Sequence, residues 1–397
     1  MARIYKQVSE LGEIVTGKTP LTAEKGFWDG SIPFITPTDI KGFDSYYQGE
    51  TDRTISEIGA SKQKKTILPP NSVCVSCIAT IGKMCLTRCK SITNQQINSI
   101  IPNKKNDYRY ILYLLRYNLP YIQLVGGGSG SGTPIISKNK FSKFKFLVED
   151  SLPLQQRIAS VLSTYDNLIE NNNKRICLLE QMAENLYKEW FTYHKIKEAS
   201  KEVRLTDIVT IYRGLSYSTE EIECEDGNDL INLKNIQSFG GFRLDGTKKY
   251  NGKYKTEQVV KEGDLVMGVT DMTQDRRTVG SVALIPNIKN LSVISADLIK
   301  LQSEIDNVYL YAMFRWGNVS KYISQFANGA NVLHLRPQVL RNVKILLPQK
   351  EAIERYVSIV KPMIKIINKL HTENDILIKQ RDLLLPRLMS GKLEINV

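Results

Sequence analysis

The sequence predicts an α+β chain in which two strand-rich domains alternate with two long coiled-coil helices as a pseudo-two-fold internal repeat. Three observations predict it. Distant segments match at a nearly constant separation, two segments carry apolar heptads, and the remainder alternates short apolar runs with turn residues. The predicted boundaries are 1–152 for the first domain, 153–197 for its helix, 198–347 for the second domain and 348–397 for the second helix and tail.

The repeat is legible in five places. LGEIVTG at 11–17 matches LTDIVTI at 205–211, an offset of 194, and IPFITPTDIKGF at 32–43 resembles LINLKNIQSFGGF at 230–242. YILYLLRY at 110–117 and FSKFKFL at 141–147 resemble YLYAMFRW at 309–316 and LRNVKIL at 340–346, both at an offset of 199. LPLQQRIASVL at 152–162 pairs with LPQKEAIERYV at 347–357, an offset of 195. The drift of a few residues is what loop insertions produce.

Each repeat closes on a helix. After Pro153, one seam of the heptads carries Ile158, Tyr165, Asn172, Leu179 and Leu186, and the other Leu162, Ile169, Ile176, Ala183 and Trp190. In the second copy Ile353, Val360, Ile367, Asn374, Arg381 and Leu388 form one seam, with Tyr356, Met363, Leu370, Leu377 and Leu384 beside it. Helices of this size run about 50–60 Å at 1.5 Å per residue. Each has an Asn near mid-seam. If the helices run antiparallel, Asn172 and Asn374 fall at one height and fix the register; otherwise both are solvated at a loose seam. Leu178, Tyr187 and Phe191 extend the apolar face beyond the seam, as a surface awaiting a partner would.

Within the domains, an amphipathic segment around 108–124 recurs at 307–326. The loops GGGSGSGTP at 126–134 and FANGANV at 326–332 suit either close approach of backbone amides to phosphates or a plain surface connection. The string Gly12, Gly17-Lys18-Thr19 has P-loop spacing, which would make the chain a nucleotide hydrolase. Yet Ile14 and Val15 between the glycines are strand-like, Pro20 disfavours a helical Thr19, and the second copy reads IVTIYRG. A first strand and its turn is the expectation.

Lys plus Arg number 54 against 41 Asp plus Glu, a net charge of +13 spread along the chain. Such a balance points to a polyanion, nucleic acid before anionic membrane. No apolar run reaches the roughly 18 residues of a membrane span, and MARIYKQVSE lacks the apolar core of a signal peptide, so a cytoplasmic protein is expected. Cys74, Cys77, Cys85 and Cys89 invite a zinc site. But CVSC reads as strand, where residues three apart face opposite ways, and reduced strand cysteines are expected instead. Cys177 and Cys224 stand alone, and His194, His334 and His371 show no ligand spacing, so no metal is expected.

LPLQQRIASVLSTYDNLIENN…LLEQMAENLYKEWF at 152–191 and EAIERYVSIVKPMIKIINKL…QRDLLLPRLMSGKLEI at 351–395 resemble the two helical regions of the specificity subunit of a type I restriction–modification enzyme. LGEIVTGKTP with the following PFITPTDI stretch resembles, more weakly, the opening of that family's target-recognition domains. The resemblance covers nearly the whole chain. It implies that each strand-rich domain reads one half of a split DNA site. The helices would pair antiparallel, hold the readers about one DNA turn (about 34 Å) apart, and dock two adenine methyltransferase subunits. Motor-nuclease subunits would join for cleavage. No N-P-P-F/Y motif or F-x-G-x-G-type loop is present, so a non-catalytic subunit is expected, with S-adenosylmethionine, ATP and Mg on its partners.

Phosphate contacts favour Lys, Arg, hydroxyls and amides, and base contacts favour Arg, Lys, Asn and Gln. The candidates in the first domain are Thr36, Thr38, Lys62, Lys64, Lys65, Lys83, Asn94, Gln95, Gln96 and the glycine loop from Ser129 to Thr133. In the second they are Lys234 and Asn235, which match the Thr36 region, with Lys248, Lys249, Thr270, Arg276, Arg277, Asn328 and Asn331. Each lysine cluster has a solvated face as its plain alternative, and each amide a turn or buried hydrogen bond. Two other readings are a specificity subunit of a related, type IIB-like restriction system and a basic scaffold for RNA or anionic lipid.

Overall fold

The structure, a computed structural model, describes residues 3–42, 46–127, 133–193, 200–222 and 225–394. The chain forms two compact units, residues 1–172 with 373–397, and residues 173–372.

In the first unit the strands are β1 Arg3–Gln7, β2 Gly12–Thr16, β3 Trp28–Ile35, β4 Arg53–Ile55, β5 Ile67–Leu68, β6 Val73–Ser76, β7 Met84–Leu86, β8 Ser91–Thr93, β9 Ile97–Pro102 and β10 Lys145–Glu149. They form an antiparallel sheet β2-β9-β6-β7, a mixed sheet β4-β3-β8-β5 in which β3 and β8 are parallel, and the ladder β1-β10. The second unit has β11 Lys201–Arg204, β12 Thr210–Arg213, β13 Asn228–Ile231, β14 Lys248–Tyr250, β15 Val259–Val260, β16 Leu265–Gly268, β17 Thr270–Asp271, β18 Val282–Leu284, β19 Ser292–Ile294, β20 Leu298–Gln302, β21 Leu333–His334 and β22 Lys344–Leu347. Its sheets β12-β20-β16-β18 and β14-β13-β19-β15, and its ladder β11-β22, repeat the first unit's orders, parallel pair included. Even the two-residue ladder β17-β21 has a counterpart, the single bridge Ile78–Ile135.

The central strands β6 and β16 are buried on both faces, which is why both read as unbroken apolar runs. Val73 and Val75 face one core, with Tyr110, Ile111 and Leu114, while Cys74 turns to another with Val15, Ile35 and Leu68. In β16, Leu265 and Met267 face Tyr309 and Met313, and Val266 faces Ile231 and Ile294. Period-two alternation thus places the middle sheet between a helical layer and the second sheet. Cys74 and Cys77 do face different cores, and Cys74 lies opposite Cys85 across β6 and β7.

The helical layer is α1 Tyr108–Tyr117 in the first unit and, following the long helix α2 Leu152–Tyr187, α3 Asn307–Trp316 in the second. Asp107 caps α1 by accepting from the amides of Arg109 and Tyr110, and Asp306 caps α3 through Val308. The expected amphipathic segments are each broken in two. Pro120 opens a new helix, Leu119–Gly127, and left-handed Asn318 separates α3 from Val319–Ser324.

The last helix is α4 Lys350–Ser390, and α2 ends in a π-helical turn, Lys188–Tyr193. In the first unit, Asn172 Nδ2 donates to Asn374 Oδ1 at 3.1 Å with both side chains buried. Asp166 accepts from Arg381 at 2.5 Å, so α2 and α4 run antiparallel there. In the second unit, Ile176 packs on Ile367 and Leu370, and Tyr356 donates to the carbonyl of Ala183, again antiparallel. Ile158, Leu162, Ala183, Ile353, Val360 and Leu388 are buried, and Tyr165, Ile169, Leu179 and Leu186 half-buried. Tyr187 and Phe191 are not a waiting surface. Their rings pack on Tyr309 and Tyr356 in the second unit's core, and of the three only Leu178 is exposed.

Candidate nucleic-acid interface

In the first unit, loops meet at one end of the sheets. The Lys18 amide donates to the Thr93 carbonyl, the Cys77 amide to Gln96 and the Ala79 amide to Pro134. The Thr19 hydroxyl bonds Gln95 Oε1 at 2.7 Å, and Lys83 Nζ reaches the Pro37 carbonyl at 2.9 Å. Thr36, Thr38, Lys83, Asn94, Gln95, Gln96 and Thr133 are thereby brought together. Lys18 and Thr19 join them, two residues whose P-loop spacing masked any other role. Gly12–Thr16 is strand β2, and no α-helix opens at Thr19, the next helical turn being the three-residue Lys25–Phe27, so a P-loop is not formed. Gly17 is needed for a different reason: a Cβ there would lie 2.3 Å from two backbone oxygens, those of Thr93 and Asn94.

The strand hydrogen bonds also correct the repeat. The Gly17 amide donates to Ile97 O and the Gly214 amide to Leu298 O, while Lys18 and Leu215 donate to Thr93 and Ile294. Gly17 therefore matches Gly214, an offset of 197, and Lys18 matches a leucine. The string match slipped by three residues, nearly one turn of the short helix preceding each strand.

Lys62, Lys64 and Lys65 are exposed on the connection into edge strand β5. Thr36 is engaged inside its own turn: its amide and hydroxyl donate to Asp39 Oδ2 at 2.7 and 2.6 Å. The match to Asp39 in the second unit is Asn235, which in the same way accepts from the amide of Asn232. Asn235 is therefore not an available contact. It is fully buried, and its amide donates to the Arg243 carbonyl and the Thr247 hydroxyl. Thr270 is likewise buried and bonds Asp297, and Asn94 is buried with its amide donating to Gln96. Both small polar side chains serve loop geometry. Ser129 lies outside the described residues, as do Cys224 and His194.

In the second unit Lys234, Arg276, Arg277, Asn328 and Asn331 are exposed. Gln274 donates to the Ala330 carbonyl, joining the 272–277 loop to the 326–332 loop, and the Phe239 amide donates to Arg277 O. Lys248 and Lys249 are half-buried on edge strand β14, where Lys249 pairs with Asp229 at 2.9 Å. Asp271 organises the loop. Its carboxylate accepts from the Thr273 amide and hydroxyl and from the amides of Thr278 and Val279. Burial acts to raise this carboxyl's pKa, and the bonds from Thr278 and Thr273 outweigh it, holding it below the usual carboxylate range. Among the described residues no cluster of His, Cys, Asp and Glu could hold a metal ion, and no helix is long and apolar enough to cross a membrane.

Two sheets and a helix, with basic loops gathered beside them, are duplicated within one chain. The type I restriction–modification DNA specificity domain matches residues 5–181 and again 197–380, and the chain belongs to that family of specificity subunits. The MjaIX specificity subunit of Methanocaldococcus jannaschii is 27% identical, over 98% of this chain and 93% of that one. The HindI specificity subunit of Haemophilus influenzae is 34% identical over 42% of this chain and 37% of its own. The solved S subunit from M. genitalium shares the fold with a TM-score of 0.63 at 13% identity, over 100% of this chain and 97% of that one.

Proposed function

We propose that this chain is the non-catalytic reader of a bipartite DNA site in a type I restriction–modification complex. Each strand-rich domain reads one half-site through its gathered loops. The helices α2 and α4 set the unread spacer and dock two adenine methyltransferase subunits, which motor-nuclease subunits join for cleavage in the cytoplasm. S-adenosylmethionine, ATP and Mg act on those partners. The observation that carries the reading is the duplication of strand order and of loop clustering within one basic chain. Two copies of one reader suit two half-sites, and basic loops suit phosphates.

The test is single-molecule sequencing of methylated adenines in cells carrying this chain with its neighbouring methyltransferase, against cells lacking the chain. A split motif, methylated on opposite strands in its halves and lost without the chain, is the expected result. Methylation independent of the chain would overturn the proposal.

A further inference from the structure

The two units differ most where their loops are otherwise equivalent. In the first, the Ser76 amide donates to Lys83 O, and the Gly82 amide to Ser76 O. In the second, Gly268 and Ser281 exchange the same bond, and the Gly280 amide donates to Gly268 O. The connection is therefore residues 77–81 in the first unit and 269–279 in the second, six residues longer.

This insert is built, not slack. Four hydrogen bonds converge on the Asp271 carboxylate, and the Thr278 hydroxyl returns to Thr270 O at 3.1 Å. The closed frame holds an exposed tip, 272–277. Met272 there is 78% exposed. Arg276 has φ of 54°, and its neighbour across the Phe239–Arg277 bond, Phe239, has φ of 65° and is 65% exposed. Two non-glycine residues thus sit left-handed side by side, one carrying an exposed aromatic ring and one a guanidinium. Large apolar groups on a basic surface suit the faces of bases, and arginine suits their edges and the backbone.

Resting on the function proposed above, we infer that the insert 271–279, with Phe239, is the element that reads the second half-site and has no counterpart for the first. Arg276 contacts the DNA, and Phe239 and Met272 pack against base steps or thymine methyls. Asp271 is a positioning residue that touches no DNA itself and holds the tip in its reading shape.

The test is methylome sequencing of the chain with its methyltransferase, comparing wild type with Arg276→Ala, Phe239→Ala and Asp271→Asn. A fourth variant has 269–279 replaced by the Cys77–Ile81 sequence. The wild-type motif establishes the underlying reading, and no chain-dependent motif there would sink both. Given that motif, each variant keeps the first half unchanged, which also reports a folded, assembled subunit. Arg276→Ala and Phe239→Ala relax the second half at one or two positions, with discrimination falling roughly five- to hundred-fold. Asp271→Asn broadens the same positions, which a merely structural role would not do. An unchanged second half in the loop-exchange variant would overturn the inference. So would equal loss of both halves in all the single variants, since then the insert serves stability or assembly.

Discussion

Asn172 and Asn374 put an amide pair where leucines would bind more tightly, and the bond between them is made only in one register of the helices. Asn172→Ala removes the buried donor to Asn374 Oδ1 and is expected to cost about 1–3 kcal/mol in denaturant unfolding. The Asn172→Leu, Asn374→Leu double variant is expected to recover that stability. A larger loss in the double variant would show that the pair is not the register device. A second buried contact is ionic. Asp166 accepts from Arg381, from Arg116 at 3.1 Å and from the Tyr113 hydroxyl at 2.5 Å, all within the core. Asp166→Ala removes the buried carboxylate that Arg116 and Arg381 share, Arg381 keeping its bonds to Asp382, and is expected to cost about 3 kcal/mol, readable as a fall in denaturation midpoint. Burial, with the Asp166 charge beside it, pushes the Tyr113 hydroxyl far above the usual tyrosine range, so it remains a donor at any pH the protein meets. Asp271 gives the opposite pH dependence. Because its folded pKa lies below the unfolded value, its stabilisation is present above about pH 4 and is lost as pH falls through the folded pKa. Protection of the 271–279 amides relative to their intrinsic exchange is expected to fall on acidification below that pH, and in Asp271→Asn to be low already at neutrality.

At the scale of elements, the same glycine serves both copies of the strand that opens each main sheet. A Cβ on Gly17 would sit 2.2 Å from Thr93 Oγ1, and one on Gly214 would sit 2.0 Å from the Ser295 carbonyl oxygen. Gly17→Ala and Gly214→Ala are each expected to destabilise by about 1–3 kcal/mol through overpacking. Lys18→Ala, at an exposed site, is expected to leave thermal stability within about 0.5 kcal/mol. If Lys18→Ala were the damaging change, the motif would be acting as something other than a strand and turn. The arginine that ends α1 and the one that ends α3 tie each domain to α2: Arg116 bonds Asp166 in the first unit, and Arg315 bonds Glu180 at 2.8 Å in the second. The heptads told where α2 and α4 lie, but not that Tyr187 and Phe191 belong to the second domain's core. Periodicity locates an apolar face without naming what covers it.

For the whole molecule, the net charge of +13 and the two loop clusters set the expected binding behaviour. DNA affinity of the assembled complex should fall steeply with salt, by about a thousand-fold or more from 50 to 200 mM if six or more phosphates are engaged. A flat salt dependence would argue against backbone contacts as the main source of affinity. Exchanging residues 1–152 for the matching segment of another specificity subunit should change one half of the methylated motif and leave the other.

The fold class, the duplication and the long helices were determined by sequence alone, because each rests on a periodic or repeated pattern that local chemistry writes directly into the chain. The seam positions, Arg381 included, follow from the heptad. The tertiary structure decided what those patterns leave open. It set the true match of Gly17 with Gly214, since only strand hydrogen bonds distinguish registers one helical turn apart. It also separated the polar residues that face solvent, such as Lys18 and Arg276, from those that hold loops together, such as Asn235, Thr270 and Asp271. Those two groups are the same residue types in the same kind of segment. What divides them is whether a backbone amide or carbonyl from elsewhere in the chain arrives within hydrogen-bonding distance, and that is a property of the folded molecule.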